Sequence, residues 1–228
     1  MKEIPIHNKE LKQILDKWLQ VLLKVDRSKY PYEAGNGKMG LVDPEYACGM
    51  EYLEHMQSKK VDGFPEITHG IDLMRFRPPH QSLAEALVVL DHELLNWSGS
   101  RNNAVKMLYP KGGYMGWHHN AKASQPMEGY FCEQQCPKGE THHHNILLSW
   151  SEKGTGFFRY QDPISKEIVT MHDTPGWTCK VGYYGPWHEP DRIYWHCAAA
   201  PEEERVTLGY IIPHEGMWTS MCEDIQTP

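Results

Sequence analysis

The amino-acid sequence predicts an α+β protein that is mainly β, with helices in its first 100 residues and a β core after them. The chain has 228 residues, a length that suits one domain or one core with added elements. Before residue 100, apolar residues recur at three- and four-residue spacing, which is typical of helices. After it, short apolar segments alternate with turns rich in Gly, Pro and Asp. That second pattern predicts an antiparallel sandwich or barrel.

The helical part of the prediction rests on two long segments. Asn8 is expected to cap a helix that runs to about Lys24, and a second long helix is expected at residues 81–97. A short helix at 51–58 and a strand at 71–76 lie between them. The first helix carries apolar residues that share one face: Leu11, Ile14, Leu15, Trp18, Leu19, Leu22 and Leu23.

The β core is predicted from seven short apolar segments: 105–109, 146–150, 156–160, 167–171, 178–184, 192–196 and 205–212. We therefore expect residues 1–100 to form a helical and irregular scaffold packed on the core. Residues 101–218 are expected to form the core itself, and residues 219–228 a polar C-terminal tail.

Composition excludes several classes of protein. The chain has 23 Lys and Arg against 30 Asp and Glu, so its formal charge is −7, which makes nucleic acid an unlikely partner. Hydrophobic residues make up 40% of the chain, which excludes disorder as its main state. The sequence contains no run of about 18 apolar residues, so it predicts no membrane span.

The expected compartment is the cytoplasm, because the residues after Met1 lack the apolar stretch of a signal peptide. In a reducing cytosol the cysteines are expected to be free thiols rather than disulfides. There are six of them: Cys48, Cys132, Cys136, Cys179, Cys197 and Cys222.

The first candidate site residues follow the segment that ends at Tyr109. A Gly-rich turn leads from there into His118, His119 and Asn120. Residues two apart on an extended chain point to the same side, so His118 and Asn120 are expected to face one point while His119 faces away. This is the pattern of an H-x-D/E metal-ligand pair, with Asn in place of the carboxylate.

The second candidate pair is His196 and Arg205. They are nine residues apart, with Arg205 at the start of a strongly β segment. A histidine and an arginine so placed can line one cavity, in which the histidine binds a metal. The planar guanidinium can then hold a carboxylate through two parallel hydrogen bonds.

In this ordered set the sequence resembles the Fe(II)/2-oxoglutarate-dependent dioxygenases, particularly their prolyl-hydroxylase-like branch. The residues that carry the resemblance are Tyr109, the run 118–120, the Gly-containing segment 147–163, His196 and Arg205. The resemblance covers about residues 104 to 213. It implies a double-stranded β-helix (jelly-roll) core, with the N-terminal helices packed on one of its sheets.

The resemblance also implies roles for particular residues. His118, Asn120 and His196 would bind Fe(II). Arg205 would bind 2-oxoglutarate, with further hydrogen bonds from Tyr109 or Thr207, and no catalytic residue is implied beyond the metal centre. Dioxygen would be the oxidant, and ascorbate is a further candidate cofactor. The implied reaction hydroxylates a C–H bond of a small molecule or peptide, with proline foremost, and releases succinate and CO2.

Asn120 departs from the family pattern, because an amide is a weaker ligand than a carboxylate for a hard dication. Three outcomes stay open: the amide oxygen binds the metal, another side chain replaces it, or the position is left to water or an anion, as in halogenases. The replacements considered are His119, Glu128 and the histidines at 142–144. Segment 146–150 also lacks a tyrosine that some relatives use to bind 2-oxoglutarate.

Other classes of function also stay open. A non-catalytic or impaired β-helix could bind a small carboxylate or a partner protein. A metal-dependent isomerase of the cupin type would use the histidines but not Arg205. Cys132 and Cys136, with the histidines at 142–144, could form a zinc site, although a solvated loop over the pocket is the simpler reading. The substrate and the oligomeric state are not specified by the sequence.

Overall fold

A computed structural model describes residues 1–30, 33–34, 41–59, 63, 65–74, 81–100, 102, 104–120, 143–185, 190–212 and 214–228. These residues contain five α-helices: α1 Lys9–Lys24, α2 Pro44–Ala47, α3 Met50–Gln57, α4 Gln81–Ser98 and α5 Glu215–Gln226. They also contain 11 β-strands: β1 Lys2–Ile4, β2 Glu33–Ala34, β3 Thr68–Asp72, β4 Val105–Tyr109, β5 Gly113–His118, β6 His143–Ser151, β7 Phe157–Gln161, β8 Ile168–His172, β9 Gly176–Tyr184, β10 His196–Ala200 and β11 Arg205–Ile212.

All the strand pairs are antiparallel, and the strands form one continuous curled sheet. The order along it is β1-β9-β6-β11-β4-β3-β5-β10-β7-β8, with β2 paired to β3. The curl arises at β3, whose two ends have different partners. Ile71 and Asp72 pair with β4, whereas Thr68 and His69 pair with β5. The strand order therefore divides into two layers that face each other.

The largest hydrophobic core lies between the layer that contains β4, β6, β9 and β11 and the helices α1, α4 and α5. Helix α1 begins where Asn8 Oδ1 accepts a hydrogen bond of 2.9 Å from the Leu11 backbone N–H. Its buried face consists of Leu11, Ile14, Leu15, Trp18, Leu19 and Leu22. Lys106 and Asp91 form an ion pair between β4 and α4. One face of this layer is thus fully covered by helices.

A second core covers the outer face of the other layer, where α2 and α3 pack against β5 and β10. Tyr52 and Leu53 of α3 contact Tyr114 and Trp117 of β5 in this cluster. With both outer faces covered, the space between the two layers is the interior in which the predicted site residues lie.

The mainly β class with flanking helices is confirmed. The helix predicted at 8–24 and the strands predicted at 105–109 and 205–212 have the expected bounds. Two strand positions were wrong. The strand expected at 71–76 lies earlier, at Thr68–Asp72, and the strand expected at 192–196 begins only at His196.

The expectation of a loose polar tail at 219–228 is also wrong, because most of this segment belongs to α5. Met221, Cys222 and Ile225 are buried against the sheet. The spacing of these apolar residues is helical, but it is brief and set among polar residues, so the burial became visible only in three dimensions. Within the described residues, no helix is both long enough and apolar enough to cross a membrane.

Candidate functional site

A β-bulge in β5 turns His118 toward the interior. His118 pairs with His196, but the next pair is Met115 with Ala198, so β5 has one residue more than β10 between these pairs. Trp117 points outward and donates a hydrogen bond of 2.9 Å to Gly49 O. Uninterrupted alternation from Met115 would have put Trp117 inside and His118 outside. The bulge reverses this order, as bulges next to functional sites often do.

His118 and His196 converge inside the sheet. Their ring centroids lie 4.1 Å apart, and both side chains are buried. His118 Nδ1 donates to Gly116 O at 2.8 Å, and His196 Nδ1 donates to Tyr194 O at 2.9 Å. Because the accepting atoms are carbonyl oxygens, the proton of each neutral ring lies on Nδ1. Each Nε2, the atom through which a neutral imidazole binds a metal, therefore carries the lone pair, and the backbone hydrogen bond orients each ring.

Both histidines are held in the neutral form. Burial lowers the pKa of His118 to about 4. Burial and the neighbouring His118 lower the pKa of His196 well below its usual value. Neutral imidazole is the form that binds a metal, so at pH 7 no proton competes for these nitrogen atoms.

Asn120 completes this end of the interior. Its φ angle is 53°, a left-handed conformation that Asn adopts more readily than most residues. Its backbone N–H donates to Gly63 O at 2.7 Å, and its side-chain Nδ2 lies 3.3 Å from His196 Nε2. His196 thus lies next to both His118 and Asn120. The chain turns at Asn120 rather than staying extended.

The side chains that could replace Asn120 as third ligand lie in different parts of the protein. His119 is buried, with its ring edge-on to Trp195 at 4.6 Å. His144 lies on the other face of the layer, 5.1 Å from the Trp218 ring of α5. Glu128, Cys132, Cys136 and His142 are outside the described residues, as is the His143 side chain. Among the described residues, no three His, Cys, Asp or Glu side chains form a group that could hold a metal. The convergent set is two histidines and an amide.

Arg205 occupies the opposite end of the interior and is 1% exposed. Its Nε donates to Asp173 Oδ2 at 2.7 Å, Nη1 donates to Thr207 Oγ1, and Nη2 donates to Ser149 Oγ at 3.1 Å. The guanidinium carbon lies 5.6 Å from the centre of the Tyr109 ring. A guanidinium has five N–H bonds, and these contacts use three, so each Nη has one further donor.

Asp173 is shared by two buried cations. Its Oδ1 accepts from Lys180 Nζ at 2.6 Å, and neither side chain is exposed. Burial by itself would raise the pKa of Asp173, but Arg205 and then Lys180 bring it below its usual value. Nearby Glu203 accepts from Ser151 Oγ at 2.6 Å and from backbone N–H groups. The Asp173 carboxylate therefore pairs with both cations, and Lys180 also lies 3.7 Å from Glu3 Oε2.

The histidine end and the Arg205 end belong to one interior. Four residue steps separate His196 from Ala200 on β10, which is about 13 Å of strand. Arg205 lies near the Ala200 end, since a Cβ on Gly156 would be 3.1 Å from Arg205 Cδ. Its Nη atoms reach Thr207, which lies two residues, or about 7 Å, further along β11 toward the histidine end.

Sequence reasoning placed Tyr109 and Thr207 beside Arg205, and the structure has them there. Burial raises the pKa of Tyr109 to about 12, so its hydroxyl is a neutral donor. The same reasoning missed Ser149, Asp173, Lys180 and Tyr184. For Ser149, Lys180 and Tyr184 the available signal was the spacing of polar residues at even intervals in 145–151 and 178–184, interrupted at Leu147 and Gly182, because such spacing points side chains to one face. Asp173 lies outside both segments, and neither pattern indicates it.

The side chains of this interior fit a divalent transition metal and a dicarboxylate. The two fixed imidazoles and the amide are nitrogen and oxygen donors suited to such a metal, and the spare Nη donors of Arg205 suit a carboxylate. No protein-family model matches the chain, and no curated protein matches it at a significant level of sequence similarity.

Proposed function

We propose that the protein is an Fe(II)- and 2-oxoglutarate-dependent dioxygenase that hydroxylates a C–H bond of a small-molecule or peptide substrate and releases succinate and CO2. The observation that carries this proposal is the placement of His118, His196 and Asn120 at one end of the space between the two layers, with Arg205 at the other end. The substrates to test first are free proline and peptidyl proline, which the sequence resemblance suggests.

The strand order supports a double-stranded β-helix for this core. One layer has the order β4-β11-β6-β9, and the other has the order β5-β10-β7-β8. The chain passes between the layers after β4, β5, β6, β8, β9 and β10, and only β7 and β8 follow one another within one layer. Eight antiparallel strands in two facing layers are the arrangement of a jelly roll.

The side chains at the two ends of the interior would bind different groups, a metal at one end and a carboxylate at the other. His118, His196 and Asn120 would hold Fe(II), with the Asn120 amide rotated so that its oxygen faces the metal. A ferrous ion held there together with a 2-oxo acid would allow dioxygen to oxidise the C–H bond of the substrate. Arg205 binds the distal carboxylate through its Nη donors, and Thr207 and Ser149 orient the guanidinium.

Phe158, Tyr184 and Tyr194 surround His196 with ring centroids at 4.6–6.1 Å. These rings keep water away from the reacting end, which protects a reactive oxidant from side reactions.

The test is anaerobic addition of Fe(II) and 2-oxoglutarate to the purified protein. We expect a weak visible charge-transfer band and, in air, succinate above the level of a protein-free blank. His196→Ala and Arg205→Met are expected to remove both signals. His144→Ala is the matched control, since His144 packs against Trp218 outside the interior. Wild-type protein with neither band nor succinate would overturn the proposal.

A second candidate is a non-catalytic jelly roll that binds a small carboxylate. The contact between Asn120 Nδ2 and His196 Nε2 favours it, because the amide N–H then satisfies the imidazole lone pair without a metal. This candidate predicts that His196→Ala still binds 2-oxoglutarate and that Arg205→Met does not. Isothermal titration without added metal distinguishes it from the enzyme.

A further inference from the structure

Tyr184, the last residue of β9, contacts the candidate metal site from the layer opposite His196. Its ring centroid lies 4.6 Å from that of His196. Its other neighbour is Tyr194, stacked at 4.6 Å with an interplanar angle of 13°. The side chain is 3% exposed. The Tyr184 ring thus lies between the rings of Tyr194 and His196 in contact with both.

The Tyr184 hydroxyl is buried and has no hydrogen-bond partner in the described structure. A buried hydroxyl without a partner costs folding free energy, so such groups are uncommon and call for an explanation. The hydroxyl therefore has a hydrogen that no group in the described part of the chain accepts.

The missing partner is expected to be an anion. His118, His196 and Asn120 are all neutral, so a divalent metal bound there would keep its full charge with no carboxylate from these three ligands. A 2-oxo acid brings such a carboxylate next to its ketone. Since Arg205 lies at the far end of the interior, the carboxylate beside the ketone is the one that reaches the histidine end.

We propose that the Tyr184 hydroxyl donates a hydrogen bond to the carboxylate adjacent to the ketone of the bound 2-oxo acid. This inference rests on the proposed function and adds a co-substrate-binding residue to it. Each end of the diacid then has its own tyrosine, with Tyr109 beside Arg205 and Tyr184 beside His196. The tyrosine hydroxyl at this site thus comes from β9, because β6 contains no tyrosine.

The test compares Tyr184→Phe with Tyr52→Phe. Tyr52 is a matched control because its hydroxyl is also buried without a partner, but it lies in the outer core under α3. Each change removes one unsatisfied hydroxyl and keeps the ring, so both variants are expected to fold and to melt at or above the wild-type temperature. Circular dichroism checks this before any binding experiment.

Binding is measured by isothermal titration of 2-oxoglutarate and of pyruvate into protein loaded with Mn(II), a redox-stable substitute for Fe(II). Pyruvate has the ketone and its carboxylate but lacks the distal carboxylate. Tyr184→Phe is expected to raise the Kd of both compounds about 10-fold or more, whereas Tyr52→Phe leaves both unchanged. Arg205→Met is expected to weaken binding of 2-oxoglutarate and not of pyruvate.

The outcomes separate the two proposals. If wild-type protein binds 2-oxoglutarate and Tyr184→Phe binds it equally well, the role of Tyr184 is refuted while the proposed function stands. If Tyr184→Phe weakens 2-oxoglutarate but not pyruvate, the hydroxyl does not contact the carboxylate beside the ketone, and the inference also fails. If wild-type protein binds neither compound with Mn(II), both proposals fall together.

Discussion

Asp173→Asn tests whether the buried charge cluster orders the Arg205 end of the interior. The Asp173 carboxylate accepts hydrogen bonds from Arg205 at 2.7 Å and from Lys180 at 2.6 Å, and all three side chains are at most 1% exposed. The amide keeps the shape but leaves two buried cations without their shared anion. Removing one partner of a buried ion pair costs about 3–5 kcal/mol. That is a large part of the roughly 5–15 kcal/mol by which a domain is stable.

The assay is urea unfolding of wild type and variant, followed by circular dichroism, with Glu202→Gln as the control. Glu202 forms an ion pair with Lys111 at 2.7 Å, similar in length, but both side chains are more than 60% exposed. Exposed pairs of this kind contribute less than about 1 kcal/mol. A free energy of unfolding for Asp173→Asn within about 1 kcal/mol of wild type would refute the reasoning, because burial would then have made no difference.

The stability of Asp173→Asn relative to wild type is predicted to depend on pH. The pKa of Asp173 is lower in the folded protein than its ordinary value, which is about 3.9 in an unfolded chain. A lowered folded-state pKa gives stability that is present above the unfolded pKa and is lost as the pH falls through the folded one. The difference in free energy of unfolding between wild type and Asp173→Asn should therefore have its full value at pH 6 and decrease below about pH 4.

Three further predictions concern the two ends of the interior. Asn120→Asp is expected to lower the Kd for Mn(II) about 10-fold or more, because carboxylates bind hard dications better than amides do; equal values by isothermal titration would contradict this. Thr207→Val leaves an Arg205 N–H unpaired and should cost about 1–3 kcal/mol in urea unfolding, with Thr207→Ser close to wild type. Gly116→Ala puts a Cβ 2.6 Å from a neighbouring side chain, so it should lose about 1–3 kcal/mol of stability and weaken Mn(II) binding. Gly216→Ala, where no atom lies within 4 Å, should not destabilise the protein.

Local patterns were sufficient for elements whose apolar residues have one clear period. Helix α1 has a capping Asn8 and an apolar stripe, so its first residue was predicted and its end was located approximately. Strands β4 and β11 are short β-rich segments bounded by turn residues, and they were located equally well. Helix α5 was missed because its three buried residues depend on a sheet that is distant in sequence.

The candidate site was predictable as a set of residue types but not as an arrangement. The order and spacing of His118, Asn120, His196 and Arg205 are visible in the sequence. The way in which His118 faces inward is not, since it depends on a bulge relative to β10, a strand nearly 80 residues later. A register between strands is a property of the pair, so neither strand encodes it alone.

The sequence by itself determined which donors the protein has: two histidines, an amide in place of a carboxylate, and an arginine followed two residues later by a hydroxyl. The tertiary structure decided which groups share the buried space with them. It brought Asp173 and Lys180 to Arg205, and it left the Tyr184 hydroxyl unsatisfied beside His196. The physical reason is that charge pairing and burial act through distances between strands. Those distances are fixed only when strands that are far apart in the sequence have paired and the two layers have come together.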